Sequence, residues 1–145
     1  MGSVNRKSFS KLNPKLQSFL CFIITFILFS IIFKTVIFIG FVPSPSMEPT
    51  LKTDSLCFGL RTINRDDIKV GDVVVFEYDG YFMVKRVGAI EGSVVKTAKN
   101  DKTTVPEGCL YMLGDNEDDS FDSRYWEEPF IKREDVTAKI IIPKT

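Results

Sequence analysis

The sequence predicts a mainly β protein: a single N-terminal transmembrane helix followed by a small all-β domain of antiparallel sheets. Three observations lead there. Residues 16–42 are almost entirely apolar, with Lys34 their only charge. From Ser55 onward the chain breaks into short runs rich in β-branched and aromatic residues, cut by Gly, Asp and Pro. No amphipathic helical periodicity follows the apolar run.

The apolar run is long enough to span a bilayer. Residues 16–33 alone reach roughly 27 Å as a helix, against a hydrocarbon core of about 30 Å. Lys34 then falls near the interface, where its stem can carry the ammonium to water. The run exceeds the usual h-region of a cleaved signal, and Ile39-Gly40-Phe41-Val42 is a poor cleavage site, so an uncleaved signal-anchor is expected. Arg6, Lys7, Lys11 and Lys15 precede the span with no acid among them. The positive-inside rule therefore predicts a cytoplasmic basic segment at 1–15, an anchor at 16–42 and an extracytoplasmic β-rich domain at 43–145.

Within that domain the elements follow in order. Residues 56–60 form a short apolar run, and Val73–Tyr78 is dense in β-branched and aromatic residues. Asp79-Gly80 is a two-residue hairpin signal, so residues 81–87 should return antiparallel. Further strands are expected at 93–97, 109–113 and 138–142, whereas residues 115–126 read as an ordered polar loop. About 100 residues of this kind leave room for a small core and one site.

Charge and composition narrow the chemistry. The exported part carries all 19 acids but only 14 of the 19 bases, which leaves no basic patch for nucleic acid. There is no histidine, and the three cysteines form neither a metal-site nor a redox pattern, so neither metal nor cofactor is expected; a disulfide between Cys57 and Cys109 is allowed. Calcium is disfavoured, because the acids of residues 114–126 lack the EF-hand spacing.

Ser44 and Ser46 lie among Pro43, Pro45 and Pro49, which hold the segment extended. Without histidine, a serine nucleophile there needs another base, and lysine is the main alternative. Lys85 sits in the expected strand beside Arg86, and alternation sends the two side chains to opposite faces. A buried lysine loses solvation of its charged form and can become neutral near working pH.

Taken in order, the anchor, Pro43-Ser-Pro-Ser-Met-Glu-Pro-Thr50, Gly71-Asp-Val-Val74, Val84-Lys-Arg-Val87 and Gly114-Asp-Asn…Ser120-Phe-Asp-Ser-Arg124 resemble the bacterial type I signal peptidases. These are membrane-bound serine proteases with a Ser/Lys dyad, and the resemblance runs from the anchor to Trp126. It implies Ser46 as nucleophile, Lys85 as general base, and Ser44 with the Ser46 backbone N–H as oxyanion hole. It implies that Ser120 orients the lysine, that Arg86 with Asp115 and Asp122 with Arg124 brace the site, and that Met47, Leu51, Met83 and Val84 line shallow substrate pockets. The implied partners are exported preproteins, cleaved after Ala-x-Ala-like sequences, and the lipid bilayer.

Several positions depart from the family pattern. Glu117 stands where arginine is common, Asp119 where asparagine is frequent, and Glu127 where glycine usually follows the tryptophan. Residues 87–113 leave no room for the extra β domain of larger members. Three other readings compete: a specialised peptidase for one pilin or conjugation-type substrate, a self-cleaving Ser/Lys repressor-type protease, and a non-catalytic anchored β module that binds peptides or envelope proteins. The membrane span and the lack of a DNA-binding module argue against the repressor type.

Overall fold

The computed structural model describes residues 13–97 and 101–141. The chain divides into two units, Met1–Lys34 and Thr35–Thr145. The basic flank at Arg6, Lys7 and Lys11 lies outside the described residues.

The first unit is built on helix α1, Pro14–Val36. Asn13 accepts the Lys15 N–H through its side chain at 3.0 Å, and Pro14 occupies the first helical position, where no N–H is needed. The 23 residues extend about 35 Å at ~1.5 Å each, and no acid interrupts them. The hydroxyls of Ser18 and Ser30 donate to the carbonyls of Pro14 and Phe26, one turn back. Those bonds satisfy two hydroxyls that an apolar surrounding would otherwise leave unpaired.

The apolar run read as one anchor divides at Val36. Ile37–Val42 is a strand, β1, paired antiparallel with β2, Ser55–Leu60. The β-branched residues Val36, Ile37, Ile39 and Val42 suit a pleated strand better than a continued helix. Hydropathy alone could not separate the two, because both need apolar side chains.

The remaining strands are β3 (Val73–Tyr78), β4 (Tyr81–Ile90), β5 (Val94–Lys96), β6 (Lys102–Thr104), β7 (Cys109–Leu113), β8 (Phe130–Lys132) and β9 (Val136–Ile140). Seven strands form one sheet in the order β1-β2-β9-β3-β4-β7-β8, and β5 with β6 forms a separate ribbon. Every described pairing is antiparallel. The fold class is therefore as expected: mainly β after one apolar helix. After α1, the described helical segments are single 3₁₀ turns of three residues. The last strand begins two residues before the expected 138, and Ile142 lies outside the described residues. Strands β6 and β8 have three residues each, too few to announce themselves by alternation.

The β3–β4 hairpin forms as its turn signal predicts: Asp79 and Gly80 take φ of 49° and 77°, the left-handed pair a tight hairpin needs. Strand β3 is buried on both faces at Val73–Phe76 and so divides two cores. Val74 and Phe76 join Val87, Leu110, Met112, Trp126 and Val136 on one face. Val73 and Val75 join Val42, Met47, Cys57, Ala138 and Ile140 on the other. The disulfide that sequence allows does not form; Cys57 and Cys109 are free thiols.

Candidate active site

Lys85 enters the site through strand alternation. It continues the buried face of β4 formed by Val87 and Ala89, and its register partner on β3 is Val74, which is fully buried. Only 2% of Lys85 is exposed. Burial pushes its ammonium below the ordinary lysine range; Asp122 and Asp115 oppose that shift, while Arg124 adds to it. Arg86, its neighbour, points to the opposite face and clamps Asp115 with two bonds, Nε to Oδ1 at 2.7 Å and Nη2 to Oδ2 at 2.6 Å.

Ser46 is held in a 3₁₀ turn, Pro45–Met47, between proline-restricted residues. It is 7% exposed, and its hydroxyl oxygen lies 3.2 Å from that of Ser44. Its carbonyl accepts the Asn116 backbone N–H at 3.1 Å, which ties the serine turn to the Gly114–Arg124 loop. Thr50 adds a second tie, accepting from Arg86 Nη2 at 3.1 Å.

The loop is organised around Asp122, which is wholly buried. Its Oδ2 accepts from the Gly114 N–H, the Ser120 hydroxyl and Arg124 Nη2, each at 2.8 Å, and its Oδ1 accepts from Arg124 Nε at 2.9 Å. Burial alone would raise its carboxyl, but these donors outweigh it and hold the group below its usual range. The same balance applies to Asp115, where Arg86 and Thr50 overcome burial. Gly114 is required by space: a Cβ there would run into the Ser120 side chain and come within 2.6 Å of the Ser46 carbonyl oxygen.

Ser44, Ser46 and Lys85 line one cleft of about 240 Å³, together with Met47, Met83 and Val84. Leu51 is half-buried against the core beneath Met47 and is not among the cleft-lining residues. Phe41, Val42, Pro43 and Phe82 also line the cleft, and sequence reasoning did not name them for that role. The signal available was adjacency, since Val42 and Pro43 open the serine segment and Phe82 precedes Met83. Among the described residues no group of three His, Cys, Asp or Glu side chains could hold a metal ion.

A family model described as "Signal peptidase, peptidase S26" matches residues 16–104 and 95–144. The chain belongs to this family. It is similar to "Probable signal peptidase I-2" of Synechocystis sp., 25% identical over 135 residues that cover 70% of this chain and 60% of that protein. It is 36% identical to "Signal peptidase I" of Pseudomonas fluorescens over 56 residues, 34% of this chain and 20% of the other. It is 33% identical to "Mitochondrial inner membrane protease subunit 1" of Mus musculus over 92 residues, 57% of this chain and 55% of the other. The chain thus spans less than two thirds of the length of each of these three relatives. Membership does not favour the reading of the chain as a non-catalytic binding module.

Proposed function

We propose that the protein is a membrane-tethered serine endopeptidase that removes N-terminal signal peptides from exported preproteins, with Ser46 as nucleophile and Lys85 as general base. One observation carries the reading: a lysine 2% exposed and a serine 7% exposed share one cleft in a chain without histidine. Burial biases Lys85 towards the neutral amine that a base must be.

Neutral Lys85 takes the Ser46 proton as the oxygen bonds to the scissile carbonyl carbon. The tetrahedral oxyanion is held by the Ser44 hydroxyl and the Ser46 N–H. Protonated Lys85 then gives its proton to the departing amine, and the C–N bond breaks. Water, deprotonated by the same amine, attacks the acyl-enzyme; the proton returns to Ser46 and the carboxylate product leaves. Ser120, bonded to Asp122, keeps its oxygen lone pairs free to accept from Lys85 and so orients it.

The cleft's small volume and its Met47, Met83 and Val84 lining favour small substrate side chains, consistent with cleavage after Ala-x-Ala-like sequences. Strand β4 pairs with β3 from Tyr81 to Arg86 but with β7 only from Arg86 onward. Residues 81–85 therefore keep one edge without a strand partner among the described residues, where an extended substrate can add as a strand.

The topology is part of the proposal: basic N-terminus cytoplasmic, α1 across the membrane, and the β-rich part from β1 onward outside. Register places Ile37, Ile39 and Phe41 of β1 beside Leu60, Phe58 and Leu56 of β2, and Phe41, Leu56 and Phe58 are more than half exposed. A sheet with apolar residues on its outer face as well as its core face is suited to rest on lipid. That would hold Ser46 at the surface where cleavage sites emerge, raising their effective concentration.

The test is to mix the detergent-solubilised full chain with a preprotein carrying Ala-x-Ala and map the products by mass spectrometry. The proposal expects one cut after the second alanine, absent in Ser46→Ala. No cut, or an equal cut by Ser46→Ala, would refute it.

A further inference from the structure

A second concave surface lies along the outer side of the Ser120–Trp126 segment and the β3–β4 turn, and none of its residues takes part in the proposed chemistry. Its floor is aromatic. Phe121 and Tyr125 are 62% and 54% exposed and stack on each other, with centroids 6.5 Å apart and planes 16° from parallel. Two large rings held together in solvent are an unusual expense of apolar surface for a domain this size.

The rim is acidic. Glu77, Asp79, Glu127, Glu128 and Asp135 border the same groove, whose volume is about 810 Å³. None of the five has an ion-pair partner among the described residues. The one cation on the rim, Lys132, is paired with Glu134 at 3.5 Å. The negative field reaches the Tyr78 hydroxyl, which burial first, and then Asp79, Glu128 and Glu127, push above its ordinary range.

A third observation comes from the adjoining hollow, which shares Tyr125, Glu127 and Phe130 with the groove and is lined by Trp126. Trp126 is 1% exposed, and its indole N–H is the one buried side-chain donor without a partner among the described residues. A buried donor left unpaired costs about 1–3 kcal/mol, and a peptide carbonyl could accept it once the side chains that cover it move aside.

We propose that this groove is a docking site for a basic segment of polypeptide. Lysine or arginine side chains lie over Phe121, the Tyr125 ring already facing the Arg124 guanidinium at 5.7 Å, with their charged ends among the five carboxylates, and a backbone carbonyl takes up the Trp126 N–H. Rings beside unpaired carboxylates provide both parts of cation recognition, the π-face and the counter-charge. The inference does not depend on Ser46 or Lys85.

The test uses the full chain in a zwitterionic detergent, with Ser46→Ala as background so that no probe is cut. The probe is a nonapeptide of alternating glycine and Lys/Arg, compared with the same peptide carrying glutamine at the basic positions. Calorimetry should show saturable binding of the basic peptide, at least about tenfold tighter than the glutamine peptide and weakened by 0.5 M salt, roughly as expected for exposed charges. Phe121→Ala and the double variant Glu127→Gln/Glu128→Gln should each weaken binding about tenfold or more while leaving preprotein cleavage on the Ser46 background unchanged. The Trp126 indole N–H resonance should shift on binding. Absence of binding, equal binding of the two peptides, or undiminished binding by both variants overturns the proposal. So does a variant-dependent change in self-association without peptide binding, which would assign the groove to a second copy of the chain.

Discussion

Ser120 donates its hydroxyl to Asp122 Oδ2 at 2.8 Å, and that carboxylate is fully buried. The loop beside Ser46 is therefore organised around a charge whose neutralisation comes from donors on the loop itself. Asp122→Ala would leave Arg124 and the Gly114 N–H without their acceptor and should cost about 3–5 kcal/mol, read by denaturant unfolding.

The same carboxylate makes stability depend on acid. Its folded value is depressed, so the stabilisation is present above the unfolded value near ~3.9 and is lost as pH falls through the lower folded value. Asp122→Asn should flatten the stability profile in that acidic window, and an unchanged acid profile would contradict the role.

Lys85 predicts a slope of the same sign at the alkaline end. Between its depressed folded value and an unfolded value near ~10.4, the unfolded chain binds the extra proton, so stability rises with pH. Lys85→Met should remove this slope without loss of stability at neutral pH, because an apolar chain of similar volume replaces a desolvated amine. Preprotein cleavage by the wild type should rise with pH through a midpoint below ~10.4; a flat profile from pH 5 to 10 would exclude a titrating base.

Ser44→Ala tests the oxyanion hole. Its hydroxyl lies 3.2 Å from that of Ser46, on the same cleft. If it donates to the tetrahedral intermediate, kcat falls about 10²–10³-fold while KM changes little. A fall in KM-dependent terms alone would make Ser44 a binding residue.

Gly114→Ala should disturb the site without unfolding it. The added methyl meets the Ser120 side chain and the Ser46 carbonyl oxygen, so the serine turn must shift. A displacement of that order can cost about 10²-fold in rate, with about 1–3 kcal/mol of overpacking strain. Turnover and melting temperature measured together would separate the two effects.

Much of this was legible in the sequence because the informative signals are local. The Asp79-Gly80 turn dictated the β3–β4 hairpin, and period-2 alternation sent Lys85 inward and Arg86 outward. Strand β1 was concealed because its residues are as apolar as the helix before them, and only pairing with β2 distinguishes them. Long-range ties were also illegible: the Asn116 N–H to the Ser46 carbonyl joins residues 70 positions apart and uses backbone atoms that every residue has. The cleft's Phe41 and Phe82 come together only after folding, from β1 and β4.

The central claim is that an uncharged Lys85 activates Ser46. The most direct measurement is kcat/KM for cleavage of an Ala-x-Ala preprotein by Lys85→Met, with folding checked by circular dichroism. The account predicts a loss of about 10³-fold or more with the fold retained. A folded Lys85→Met protein that keeps a tenth or more of wild-type activity would contradict it.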